Sequence, residues 1–496
     1  MTNYTKHAIK GTAIVFVVSI LAGFLGYVVR LVLARNLSVE DFGLFYAIFA
    51  FLALLGVFKS LGFERSLIKF IPEFQHKNKN DFIKSSMIYV TVIQFITNSI
   101  IIVAVYLLSN YLSINFFHTP KANIILKLMT IAFFIDSFVN TLKFSFQGFQ
   151  KMTLFAGIDT LRMIIILVII FIGFKLNYGV FSPIAAYMIA PIILLIVFGW
   201  ILLNKVFPNF IISRFIIDRN LLKKISKYSI FVMVSGTAAI ILGYTDTMVL
   251  TYFSGVTAVA MYNVALPTAK ILIYLPTAIG SILLPLTSEL WARKKEKLLI
   301  EGMDLLYKYT FIIVLPLVFI MLSFSELLIL VFFGKNYILA SMPMRILSIG
   351  MIFYTMHLIN VNFFLGIGHP EIQSKILYIA AAFNLVTDLV LIPLFGTIGA
   401  AITTSLSLFI MMTMGLVYVK RFIMIKFHFN MWMRVLLAGI IFIFIIVVLK
   451  KIIYLNLWVE TSIVLALAGM VYTILLFLLK IVYLKEVKDL YNRIFN

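Results

Sequence analysis

Residues Leu31 to Tyr46 read LVLARNLSVEDFGLFY, and residues Met248 to Asn263 read MVLTYFSGVTAVAMYN. In each stretch one apolar run ends, a short interruption follows, and a second apolar run begins. The two stretches lie 217 positions apart. Tyr178-Gly179-Val180 and Phe395-Gly396-Thr397 share that offset, and Gly148 and Gly366 differ by 218. Matches at one offset point to a duplicated unit.

The apolar runs around these stretches are long enough to cross a bilayer, which takes about 20 residues of helix. Spans are expected near 12–35, 41–62, 83–108, 122–147, 152–174 and 179–203. A second set falls near 228–253, 258–287, 303–332, 341–366, 372–393 and 397–422, and two more near 431–450 and 457–482. The repeat unit therefore holds six spans. An even number brings both copies in from the same side, so the repeats are parallel and related by an axis along the membrane normal. The expected organisation is an N-terminal six-helix bundle over 1–206, a cytoplasmic linker over 207–227 and a C-terminal six-helix bundle over 228–424. Two extra spans and a cytoplasmic tail fill 425–496. The fold class is an all-α polytopic membrane protein of about 14 transmembrane helices.

Composition agrees. Of 496 residues, 63% are hydrophobic and 12% charged, with a mean hydropathy of +1.11. Soluble domains carry about 45–50% apolar and about 25% charged residues, so a soluble or disordered chain is excluded. The apolar runs continue from residue 11 to residue 482, which also excludes a soluble enzyme on one anchor. The segment Met1 to Lys10 lacks a cleavable-signal pattern, and the run from Gly11 is long enough to stay as a span.

The net charge of +22 is a matter of topology. With the N-terminus inside, the inner segments hold 30 Lys and Arg and the outer segments 6, with five inside spans. That asymmetry puts both termini in the cytoplasm of a multi-pass cell-membrane protein. It also gives the inner face affinity for anionic lipid and leaves no role for nucleic acid. The chain has no cysteine, so disulfides and thiolate chemistry are excluded. The loops are too short for a catalytic domain, and no phosphate-loop or H-E-x-x-H motif occurs. No catalytic residue, metal site or cofactor is expected.

The sequence resembles the polysaccharide-transporter branch of the multidrug/oligosaccharidyl-lipid/polysaccharide exporter (MOP) superfamily, the Wzx-type flippases. The resemblance covers roughly residues 10 to 425. It rests on LARNLSVEDFGLFYA (Leu33 to Ala47), DTMVLTYFSGVTAVAMYNVA (Asp246 to Ala265) and LPTAIGSILLPLTSEL (Leu275 to Leu290). SELLILVFFGKNYILA (Ser325 to Ala340) and LIPLFGTIGAAITTSLS (Leu391 to Ser407) add to it. The resemblance implies a MATE-like fold and a flippase, not an enzyme. Such a protein moves an isoprenoid-phosphate-linked oligosaccharide across the membrane by alternating access, and works alongside glycan assembly enzymes. A cation-coupled multidrug exporter of the same superfamily is the alternative. A membrane glycosyltransferase or polymerase acting on lipid-linked sugars is a second, which the short outer loops disfavour.

Charges inside spans are expensive and therefore candidate site residues. Arg30 lies in the outer part of span one and its repeat equivalent is Thr247, beside Asp246, so Arg30 and Asp246 should share a depth. Arg30 is either a phosphate-binding cation, a partner of a fixed pair, or an interfacial snorkelling residue. Asp159 and Arg162 are three apart in span five and on one helix face. Self-pairing is the favoured reading there, with headgroup binding the other. Lys270, in a span carrying Pro267, Pro276 and Pro285, is the leading phosphate contact in a bent helix, with a salt bridge to Asp136 as its alternative. Arg30, Arg162 and Lys270 are thus the candidate substrate cations. Asp136, Asp159 and Asp246, with Asp388 behind them, are candidates for pairing or for coupling to H+ or Na+. His357, Asn360 and Asn362 are expected to bond between helices rather than touch substrate. The stretches 287–302 and 485–496 are expected to form interfacial helices on the inner leaflet.

Overall fold

A computed structural model describes residues 3–424, 429–453 and 456–482. The expected helix at 485–496 lies outside them. Among the described residues the chain is helical, with no strand. In order the helices are α1 (Asn3–Asn36), α2 (Val39–Ser60), α3 (Phe63–His76), α4 (Asn80–Asn115), α5 (Ala122–Gly148), α6 (Met152–Lys175), α7 (Phe181–Ile201) and α8 (Arg219–Ala269). They continue with α9 (Tyr274–Ala292), α10 (Glu296–Ser323), α11 (Ser325–Phe332), α12 (Ser341–Gly366), α13 (Pro370–Val419), α14 (Phe429–Ile452) and α15 (Leu457–Leu478).

Among the described residues, twelve helical segments are long and apolar enough to cross a membrane. Two of these are far too long for one crossing, and each is broken by a glycine with positive φ: Gly255 (φ 78°) in α8 and Gly396 (φ 55°) in α13. A side chain at such φ would meet its own backbone, so the glycine lets one helix turn into the next. Counting each of the two as a pair of passes gives the expected fourteen. The bend expected in the eighth span is the 3-10 turn Lys270–Ile273 between α8 and α9.

The chain forms two compact units. One comprises Met1–Val264, Phe332–Tyr337 and Leu377–Thr403, the other Ala265–Val331, Ile338–Ile376 and Thr404–Asn496. In the first unit α2 starts where the Ser38 hydroxyl accepts from the Asp41 backbone N–H at 3.1 Å, capping an otherwise unsatisfied donor. Four residues into α2, Gly43 lies so close to the first turn of α8 after the Gly255 kink that a Cβ there would stand 1.9 Å from the Val256 carbonyl oxygen and 3.2 Å from the Ala260 Cβ. Ala260 is the position 217 residues after Gly43. The two stretches that carry the repeat therefore pack against each other, and do so at equivalent positions.

The helix α3 is not among the expected spans. Its apolar residues recur at Phe63, Leu67, Phe70, Ile71 and Phe74, one stripe at helical spacing, and that stripe joins a core with Met87, Phe146, Phe198 and Ile225. Its polar face carries Glu73, which pairs with Lys77 at 3.0 Å and with Lys224 of α8 at 2.7 Å. These two lysines hold the Glu73 carboxyl below the usual carboxylate range. The interfacial helix expected over 287–302 is absent. Its first part belongs to α9, a turn occupies Arg293–Lys295, and α10 begins at Glu296. The apolar stretch on either side simply continues each span.

In the second unit α14 and α15 pack on α10. The Tyr472 hydroxyl donates to the Ile312 carbonyl at 3.0 Å, and its ring meets Phe442 edge-on at 5.7 Å. His357 bonds the Met411 carbonyl through Nδ1 at 3.0 Å, and the Tyr307 hydroxyl donates to Asn360 Oδ1. These are bonds between helices, as expected for that patch.

Candidate functional site

A cavity of about 210 Å³ opens inside the first unit between α2, α5, α6 and α7. Apolar side chains such as Leu52, Met129 and Ile166 make most of its wall, and charge enters at Lys59, Asp136 and Arg162. Asp136 stands between the two cations. Lys59 Nζ is 3.0 Å from its Oδ2, and Arg162 Nη2 is 3.0 Å from its Oδ1. Asn140, one turn on, donates to Oδ2 at 3.1 Å. The Lys59 ammonium also sits 4.1 Å from the centre of the Phe133 ring, and the residue is only 7% exposed.

Two positive charges and one negative leave the cavity at +1. Arg162 Nε and Nη2 are buried and make no hydrogen bond, because the Nη2–Asp136 approach is a charge contact whose N–H is poorly aligned. Asp136 is thus shared by two cations, and one positive charge is left unbalanced by the residues of the cavity. The cavity thus presents unused guanidinium donors in apolar surroundings, the setting in which a planar fork recognises a phosphate or carboxylate.

An aromatic wall leads from this cluster toward Arg30. Tyr187, which lines the cavity, meets Phe45 at 5.5 Å and Phe49 at 5.8 Å, and Phe45 meets Tyr46 at 5.3 Å. The Arg30 guanidinium stacks 4.2 Å over Tyr46 and donates to the Asn263 carbonyl. Along α2, Tyr46 and Lys59 are 13 residues apart, or about 20 Å at 1.5 Å per residue.

Elsewhere in the same unit two carboxylates are buried together. Asp246 on α8 is 3% exposed and Asp388 on α13 is 0% exposed, and the two carboxyl groups are within hydrogen-bonding reach of each other. The Tyr262 hydroxyl donates to Asp246 Oδ2, Asn384 Nδ2 donates to Asp246 Oδ1 at 3.0 Å, and the Thr403 hydroxyl donates to Asp388 Oδ1. Asn384 Oδ1 and Asp388 Oδ2 are buried and receive no hydrogen bond.

Several expectations need correction. Asp159 and Arg162 do not pair with each other: Asp159 is bound by Lys143 at 2.5 Å, and Arg162 by Asp136. Helical spacing permitted self-pairing, but a neighbouring helix offers each group a better-placed partner. Asp136 is held by Lys59 and Arg162, the place foreseen for Lys270. Lys270 lies in the 3-10 turn with an exposed side chain. Lys59, near the end of the second expected span, is not among the candidate cations read from the sequence, yet it is part of the cavity. Its only sequence signal is a lone cation in the apolar run GVFKSLGF. Tyr187 carried no signal.

Fold and site together define a polytopic helical membrane protein with a repeated architecture and buried charge inside one unit. Residues 8–291 match the family model described as polysaccharide biosynthesis protein, and residues 232–390 match that of MatE. The chain belongs to the polysaccharide biosynthesis protein family of the MOP superfamily. An uncharacterised membrane protein of Methanocaldococcus jannaschii is 33% identical over 99% of both chains. The probable low-salt glycan biosynthesis flippase of Haloferax volcanii is 26% identical over 44% of this chain and 48% of its own length. Among solved structures, an inward closed lipid II flippase, MurJ, shares the fold with a TM-score of 0.74 at 16% identity, covering 92% of this chain and 97% of that one.

Proposed function

We propose that this protein is a flippase that moves an isoprenoid-phosphate-linked oligosaccharide across the cell membrane by alternating access, with both termini cytoplasmic. The observation that carries this reading is the net positive, largely apolar cavity around Lys59, Asp136 and Arg162. A lipid phosphate would balance the positive charge that Lys59 and Arg162 carry beyond the one carboxylate they share, Asp136. Arg30, in the same unit, is a further cation assigned to the phosphate, and Lys270, on an exposed turn of the other unit, is a separate candidate for contact with a lipid phosphate. Family membership supports the substrate class, because a relative that matches 44% of this chain is described as a probable low-salt glycan biosynthesis flippase. The cycle makes and breaks no covalent bond, so the glycan must come from, and pass to, assembly enzymes.

The Asp246–Asp388 pair is the proposed coupling site. Asp388 Oδ2, which receives no hydrogen bond and lies beside the Asp246 carboxyl, suits one proton or one Na+, and occupancy of the pair would shift the balance between conformations. A drug exporter for organic cations fits less well, since the cavity charge would repel its substrate.

The test is movement of a fluorescent isoprenoid-pyrophosphate sugar between leaflets of reconstituted vesicles. Wild type should transport it, and Lys59→Gln should lose most of that rate. Asp388→Asn should keep the fold and abolish the response to an H+ or Na+ gradient. Absence of transport, with gradient-driven efflux of an organic cation instead, would overturn the proposal.

A further inference from the structure

The stretch joining α7 to α8 carries a surface that the transport site does not use. After the short turn Pro208–Phe210 the chain has no regular structure until α8 begins at Arg219. A backbone of this kind must find partners for its polar groups. Here they are side chains on the first turns of α4. Asp81 Oδ1 accepts from the Arg214 N–H at 2.7 Å, and Lys84 donates to the Ser213 carbonyl at 2.8 Å. Ser85 Oγ accepts from the Ile216 N–H at 2.8 Å. The Tyr89 hydroxyl donates to the Ile216 carbonyl at 3.1 Å and accepts from the Asp218 N–H at 2.8 Å. The segment is strapped to the first unit by its main chain.

Its side chains are left outward. Ile211, Ile212 and Ile217 are 75%, 83% and 81% exposed, and Phe215, beside Tyr89, is 44% exposed. Large apolar side chains grouped this way in water would be a liability. The strap instead runs between two membrane spans, 181–206 and 219–273. Trp200, 57% exposed with Lys205 5.5 Å over its ring, precedes it, an arrangement typical of the membrane–water boundary. The first strongly exposed apolar residue of α4 is Val92, just past Tyr89, so the strap lies at the level where α4 enters lipid. Charge agrees with that position. From Lys205 to Lys227 there are six basic residues and one acid, Asp218, and that carboxylate is spent capping α8 through the Asn220 and Leu221 N–H groups.

We propose that residues 207–218 form an interfacial membrane strap. Ile211, Ile212 and Ile217 enter the boundary between headgroups and acyl chains, and exposed Lys205, Arg214, Arg219 and Lys223 hold anionic lipid phosphates. The connection between the repeats is then not a free linker but a fixed lipid-bound edge of the first unit.

The chain has no cysteine, so single sites can be labelled cleanly. Ile212→Cys and Ile217→Cys, both at exposed positions, would carry an environment-sensitive fluorophore in the full-length protein in vesicles containing anionic phospholipid. Asn78→Cys on the nearby polar turn is the reference. Labels at 212 and 217 should be quenched by spin-labelled lipid and lose quenching by aqueous iodide, with the reverse at 78. Adding Arg214→Glu and Arg219→Glu should return iodide access at 212. Iodide quenching at 212 and 217 equal to that at 78 would overturn the strap. So would protection from both quenchers, which would mean a protein occupant such as a second copy. Unchanged label depth in the charge variant would overturn the role given to the arginines.

Discussion

Arg162→Gln tests the cavity most directly. The substitution removes one of the two cations that share Asp136, taking the cavity from +1 to neutral. Asp136 keeps Lys59 at 3.0 Å and Asn140 at 3.1 Å, so the fold is not left with a bare carboxylate. Two unit charges about 4 Å apart attract by about 4 kcal/mol at an effective dielectric near 20. A hydrogen bond to a charged group contributes about 1.5–3 kcal/mol net. A loss of about 2–4 kcal/mol in phosphate binding corresponds to roughly 30- to 1000-fold weaker affinity. The assay is titration of purified protein with an isoprenoid pyrophosphate, followed by native mass spectrometry, with a thermal melt as the folding control. Arg162→Lys, which keeps the charge and loses the fork, should fall between wild type and Gln. A Gln variant that melts normally and binds within about threefold of wild type would refute the cationic cavity.

Two further outcomes follow from the packing and the surface charge. Gly43→Ala should lower the melting temperature, because its Cβ meets the Val256 backbone at 1.9 Å and such overpacking costs about 1–3 kcal/mol or more. Gly157→Ala in α6, where a Cβ meets nothing within 4 Å, should be neutral or mildly stabilising, and equal melts for the two would contradict the close approach. Glu73 has a depressed carboxyl, so its pairing with Lys224 and Lys77 contributes above its ordinary value of 4.5 and is lost as pH falls below it. The groups are partly exposed and the effect is under about 1 kcal/mol. Hydrogen-exchange protection in α3, corrected for the intrinsic pH dependence of exchange, should fall on acidification in wild type and change less in Glu73→Gln. Identical acid responses would remove Glu73 from that contact.

The spans were legible because a bilayer admits few solutions: long apolar runs, punctuated by basic loops, have to be helices. The two overlong helices fit the same reading once Gly255 and Gly396 are seen as breaks. Charges inside the bundle were harder. Asp159 and Arg162 share a helix face, yet the nearer partners come from α5, which spacing along one helix cannot reveal. Lys59 was hidden by its position at the end of a span, where an outward turn of the chain would have put it in water. The helix α3 was missed because a search for membrane spans ignores a short amphipathic stripe. The Asp246–Asp388 pair joins residues 142 apart in sequence, and only tertiary structure brings them together.

The contact between Gly43 and Ala260 has a consequence for how the halves could diverge. Were the six-span unit a separate chain forming a symmetric dimer, the residue on the axis would face its own copy, and any side chain there would appear twice. Its size would be capped at half the gap. Joined in one chain, the two positions divide the space unequally: no side chain at Gly43 and one methyl at Ala260. A covalent link between the copies thus turns one symmetric constraint into two different ones. Each half can then specialise, the first in buried cations and the second in the sequence around Asp246, without losing the shared seam.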